Sequence, residues 1–190
     1  SPEDLDNIVN YYLSTVIAPE QYAGGGILVH ETLDQVKEPR KAWGFSAGEV
    51  RRAPSLGYDA PIASAGNLRT VDDTDTFNGA LDRYNWEYKG LQEMLIPYNN
   101  FEITSDKYTY DDVLDKQHLN SDLMRWELHR VHVVEANLRE DARHLYHKRV
   151  FYIDEDSWNI ALVDQYDDQG NLYRVTMAML KNFYDMPGVW

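Results

Sequence analysis

No cysteine occurs in the 190 residues, so the chain can hold no disulfide frame, no thiolate metal site and no thiol nucleophile. Basic residues are scarce: 18 Lys and Arg stand against 32 Asp and Glu, a formal net charge of −14. On average such a chain repels a phosphate backbone or an anionic bilayer surface, and no nucleic-acid partner is expected. No apolar run approaches the ~20 residues that a membrane-spanning helix needs, so no transmembrane segment is expected. The glycine run Gly24 to Gly26 lacks the lysine and the strand-loop-helix setting of a phosphate-cradling loop. The chain opens at Ser1 without a leader pattern and stops at Trp190 on an apolar note, and the expectation is a processed or partial chain without its signal peptide.

What is present is apolar and aromatic. Hydrophobic residues make up 43% of the chain, enough for a real core, and one domain over residues 1–190 is expected. Fourteen Tyr and five Trp, with β-branched alternation outweighing any helical period, predict a mainly β protein. Residues 8–17 read as a strand or short helix, 27–30 as a strand after a glycine-rich turn, and 42–45 with 49–51 as a short hairpin;. Residues 54–75 read as a long connection, and 108–125 as the best helical candidate, with Asp111 and Asp112 near its start;.

Four candidate strands, residues 126–138, 143–153, 158–166 and 172–183, alternate in polarity. Adjacent strand residues point to opposite faces. With residues 139–142, 154–157 and 167–170 as hairpin loops, an antiparallel meander results whose one face is strongly apolar. That face gathers Trp126, Leu128, Phe151, Trp158, Ile160, Leu162, Met177 and Met179, with Arg130, Arg149, His132 and His147 among them, while the opposite face is polar or mixed;. In this register Arg130 and Arg149 are diagonal neighbours, His132 lies opposite Arg149, and His147 opposite Asp164. Buried guanidinium groups demand a negative or wet partner. Glu87, Glu93 or Asp164 can supply it from within, and an anionic headgroup can supply it from outside.

A His147–Asp164 pair could serve as a general base, but no nucleophile is placed beside it, and a structural histidine is the blander reading. His129 with His132 and His144 with His147 are three residues apart, which on a strand sends each pair to opposite faces, so neither metal nor cofactor is expected. The acidic clusters at residues 72–75 and 154–156 lack the alternating ligands and glycine of the helix-loop-helix calcium motif and read as solvated turns;.

Five ordered blocks carry a family resemblance: Ala42-Trp43 with Gly48 and Val50 to Pro54; Arg83 to Trp86; Glu93 to Asn99; Glu127 to Val131; and Arg149 to Trp158. Together they resemble the bacterial DUF1329 family, which is similar to outer-membrane lipoprotein-sorting proteins. The resemblance implies an incomplete antiparallel β-barrel, a strongly curved sheet with one or two helices packed on an apolar concave side. It implies periplasmic location, association with export systems of the resistance-nodulation-division type, and a chain that is the C-terminal part of a longer carrier-like protein. His132 and Tyr173 stand where the family pattern has tryptophan.

The reading that follows is a non-enzymatic periplasmic carrier or chaperone. It would hold a lipid, lipoprotein acyl chain or other amphiphile on the apolar face, with Arg130, Arg149, His132 and His147 toward an anionic head. The alternatives are an adaptor docking onto an export pump or outer-membrane partner through Tyr98, Phe101 and Tyr110, and an enzyme built on His147 and Asp164.

Overall fold

The computed structural model describes residues 6–18, 20–46, 48–53, 59–62, 66–186 and 188–189. Parts of the expected connection at 54–75, including Pro54, and the terminal Trp190 lie outside the described residues. By contact, the chain divides into two compact units, Ser1–Asp73 with Asn78–Asp82, and Thr74–Phe77 with Arg83–Trp190.

The first unit is a four-stranded antiparallel meander of β1 (Ile8–Thr15), β2 (Gly26–Thr32), β3 (Lys41–Ser46) and β4 (Glu49–Arg52) in that order. Glycine permits its first hairpin. Gly24 has φ +84°, which a side chain resists, and backbone bonds from Val16 to Gly25 (2.8 Å) and from Gly24 to Val16 (2.9 Å) close the turn. Gly26 has another reason: a Cβ there would meet the Ser14 carbonyl oxygen at 2.8 Å. Between β2 and β3, the Asp34 carboxylate accepts from the Val36 and Lys37 backbone N–H groups at 3.1 and 2.9 Å, a side-chain turn that redirects the chain.

The second unit is an open five-stranded antiparallel sheet, β5 (Tyr84–Pro97), β6 (Trp126–Leu138), β7 (Lys148–Asp154), β8 (Ile160–Tyr166) and β9 (Leu172–Met177), in sequence order. A short hairpin of β10 (Asn182–Phe183) and β11 (Gly188–Val189) follows. In a flat sheet β5 and β8, three positions apart, would lie about 14 Å from each other. Instead some of their Cα atoms approach within 8 Å, so the sheet is strongly curved. Bulges between Tyr88 and Gly90, Tyr152 and Ile153, and Gln165 and Tyr166 supply the bending;. Gly90, at φ +102°, is where β5 turns. The mainly β, antiparallel, unclosed architecture is the expected one.

The helical part is smaller than expected. Of residues 108–125 only α1 (Tyr110–Val113) is α-helical, a single turn with a Thr109–Asp112 capping box. The Asp111 and Asp112 signal marks a helix start that does not propagate, because none of α1 is buried and a helix this short needs packing to extend.

The expected strand register holds in one hairpin's parity and fails in another's. Ala136, not His132, lies opposite Arg149, a shift of four residues that keeps both strands' faces. Between β7 and β8 the connection is longer than four residues, and Val150, not His147, lies opposite Asp164. That shift of three is odd, and an odd shift exchanges the faces. Leu162 and Met177 therefore leave the face of Phe151 and Arg149, and Val163 and Gln165 take their places. The second face is not the solvated one expected: it packs Ile96, Val131, Val133 and Leu162 with Tyr98 and Leu180, while Phe151, Val163, Ala136 and Tyr84 form the other cluster. Phe151, 2% exposed, also meets the rings of Phe77 and Trp86 at 5.3 and 5.6 Å. Phe151→Ala is expected to cost the protein about 3–5 kcal/mol, read as a lowered midpoint in urea at unchanged slope.

Candidate functional site

The residues expected to line one hollow in the second unit have three different fates. Phe151 and Leu162 are core, in separate clusters, and Ile160 packs at the edge of the Phe151 cluster. Met179 is half-buried and Met177 partly open. Trp126, Leu128 and Trp158 remain exposed; Leu91 and Leu95 pair across from His132 and Leu128, with the charged Glu93–Arg130 pair between them.

The charged groups separate as well. Six strand residues, about 20 Å, divide Arg130 from Ala136, the residue opposite Arg149. Arg130 is exposed and pairs with Glu155 at 2.7 Å. Arg149 is fully buried among the ring faces of Tyr146 (4.7 Å), Phe77 (5.4 Å) and Tyr84 (5.5 Å), with an Nη within 3.3 Å of His144 Nε2. It anchors a core by cation–π contact rather than facing a headgroup. His147 is exposed, and Asp164 accepts the Tyr152 hydroxyl at 2.9 Å. Burial and that carboxylate push the Tyr152 phenol up to about 12, so it stays a donor; the His147–Asp164 dyad is not formed. Of the aromatics expected to dock a partner, Tyr110 and Phe101 are exposed and Tyr98 is buried.

His132 is instead an aromatic neighbour. Trp158 stacks on it at 5.0 Å and 18°, and the Tyr88 hydroxyl lies 3.0 Å from its Nδ1. Trp158 is 70% exposed at φ +59°, a strained conformation for a bulky residue, costing about 1–3 kcal/mol. The turn beneath it supplies the restraint. Asp154, fully buried, accepts from the Ser157 backbone (2.9 Å), the Ser157 hydroxyl (2.5 Å) and His129 Nδ1 (2.7 Å), while the Trp158 N–H donates to the Asp154 carbonyl at 2.9 Å.

An open apolar surface also lies in the first unit, where none of the expected binding residues falls. Three cross-strand rows share one face: Tyr11, His30, Lys41; Leu13, Leu28, Trp43, Arg52; and Thr15, Gly26, Phe45, Val50. His30 is flanked by Tyr11 and Trp43 at 4.5 and 4.6 Å. Leu13 and Val50 are each 69% exposed. Since Gly26 brings no side chain to the third row, a groove of about 560 Å³ runs over Leu28, Trp43 and Phe45, within the ~300–1,000 Å³ usual for ligand pockets. Its walls are almost wholly apolar, and exposed Arg52 stands at the end of the Trp43 row. The sequence signal was there, since Tyr11 and Leu13, Leu28 and His30, and Trp43 and Phe45 alternate at strand period.

An apolar groove on one open antiparallel sheet and a strongly curved second sheet define a fold seen before. A domain from Vibrio parahaemolyticus, named as an outer membrane lipoprotein-sorting protein domain, superposes with a TM-score of 0.56 at 16% identity, over 97% of this chain and 63% of that one. A DUF1329 protein from Desulfovibrio piger superposes at 0.50 with 14% identity, over 93% and 60%. In sequence, an uncharacterized Pseudomonas aeruginosa protein is 47% identical over 192 residues, all of this chain but 42% of that protein's length. The chain belongs to the DUF1329 family, proteins of unknown function, whose pattern it matches over residues 1–190.

One pH response follows from the turn. Burial pushes the Asp154 carboxyl up, but the Ser157 and His129 hydrogen bonds outweigh it and hold it below the ordinary 3.8. A depressed carboxyl stabilises the fold fully above that ordinary value and loses its contribution as pH falls through the folded value. Asp154→Asn is expected to lose about 1–3 kcal/mol at neutral pH and to show a flatter fall of the unfolding midpoint below about pH 4 than the unaltered protein.

Proposed function

We propose that the protein is a periplasmic carrier or chaperone, not an enzyme, that shelters the acyl chain of a lipid or lipoprotein against the β1–β4 face. The observation that carries this reading is the exposed groove over Leu28, Trp43 and Phe45, walled by Leu13 and Val50. Monomeric soluble proteins rarely leave such a patch open unless something occupies it. Each buried methylene contributes about 0.8 kcal/mol, so about ten would reach the ~8 kcal/mol of a micromolar complex before ordering costs. That favours a long acyl chain over a short acid. Arg52, in the Trp43 row, suits an anionic head because its planar fork donates in pairs. The lipoprotein-sorting name of a fold neighbour supports the same class of cargo. No helix among the described residues is long and apolar enough to cross a membrane.

The test is fluorescence of N-phenylnaphthylamine with the full-length protein, displaced by palmitate. Replacing Leu13 and Val50 together by Asp puts charge in the groove at exposed positions, so the unfolding midpoint should stay unchanged while probe affinity falls about 10-fold or more. Undiminished affinity in that variant would remove the groove from the account.

A further inference from the structure

A histidine and a group of carboxylates on the second unit are used by neither surface. His129, on β6, presents Nδ1 to Asp154 Oδ1 at 2.7 Å and to Asp156 Oδ2 at 3.6 Å, while its Nε2 lies 3.7 Å from Glu127 Oε2. One imidazole nitrogen and two carboxylate oxygens, the donor types of a nitrogen-oxygen metal site, thus converge within 4.8 Å of one another;. We propose that His129 Nδ1, Asp154 Oδ1 and Asp156 Oδ2 form a binding site for a first-row transition cation of the Zn²⁺ type.

The supporting groups are already oriented. Asp154 is fully buried, and both Ser157 hydrogen bonds go to its Oδ2, while Oδ1 faces His129 Nδ1, where the ion would replace the Nδ1 hydrogen. On the far side of the ring, the Glu127 carboxylate lies 3.7 Å from Nε2, too far for a hydrogen bond but near enough to favour a hydrogen there electrostatically, and Glu127 is itself held by Asn99 Nδ2 at 2.9 Å and by Arg125. A carboxylate that fixes the tautomer of a metal-bound imidazole is the usual outer partner of such sites. Donors around one tetrahedral zinc ion sit about 3.4 Å apart at bonds of about 2.1 Å, so His129 Nδ1 and Asp154 Oδ1, now 2.7 Å apart, must part slightly to admit it. The donor atoms here lie within 4.8 Å of one another, so the widest gap closes if Asp156, 78% exposed, swings inward. One imidazole with two carboxylates suits Zn²⁺ better than Ca²⁺ or Mg²⁺, which prefer oxygen alone. The site is not a pair of histidines; it joins one strand histidine to the acidic turn at residues 154–156.

The experiment titrates chelator-treated full-length protein with Zn²⁺ alone by calorimetry, then with Co²⁺ for the visible absorption of a nitrogen-oxygen site. One saturable equivalent is expected, with excess Ca²⁺ failing to displace it. Asp156→Asn should weaken uptake about 10-fold or more at an unchanged metal-free unfolding midpoint, and His129→Gln should abolish the cobalt band. No saturable uptake, equal competition by Ca²⁺, or undiminished uptake in both variants would overturn the assignment.

Discussion

The buried carboxylate of Asp154 holds the turn on which the register of the second unit depends. It fixes the turn after β7 through Ser157, ties that turn to β6 through His129, and so sets how many residues separate β7 from β8. Because strand faces alternate, that number determines which side chains of β8 and β9 join Phe151 and which join Val131. The same turn holds Trp158 against His132 in a backbone conformation that a bulky residue avoids.

With that register, both faces of the curved sheet carry apolar clusters. Arg149 belongs to one of them, its charge shared among aromatic faces. The space that strand alternation assigns to an oily guest is therefore occupied by the protein's own side chains. Open apolar surface survives elsewhere, as the exposed Leu95, Leu128 and Trp158 in this unit and as the groove of the β1–β4 sheet in the other. The groove is the better candidate because it is concave and because Gly24 and Gly26 leave its floor bare.

Alternation made the β class, the antiparallel order and the strands of the second unit legible, and Phe151 and Arg149 did prove to share a face. Turn lengths were not legible. An Asp-rich hairpin reads as four loop residues whether or not one of its carboxylates is buried, and the extra residue of a bulge, such as Ala161 between the pairs Tyr152–Leu162 and Ile153–Ile160, has no composition of its own. The first unit is hard to read for a different reason: its short strands show in the pattern, but four-residue pieces such as β4 give too little of it to show that Leu13, Leu28 and Trp43 stand in one row. The contact of His129 with Asp154 is not legible in the sequence because partners 25 residues apart are joined only by the β6–β7 register.

The central claim, that the β1–β4 face holds an acyl chain, is tested most directly by crystallising the full-length protein with a bromine-labelled fatty acid and locating the bromine by anomalous scattering. The account predicts bromine within the groove beside Trp43 and Phe45. Bromine elsewhere, or a groove filled by another stretch of the polypeptide, would contradict it.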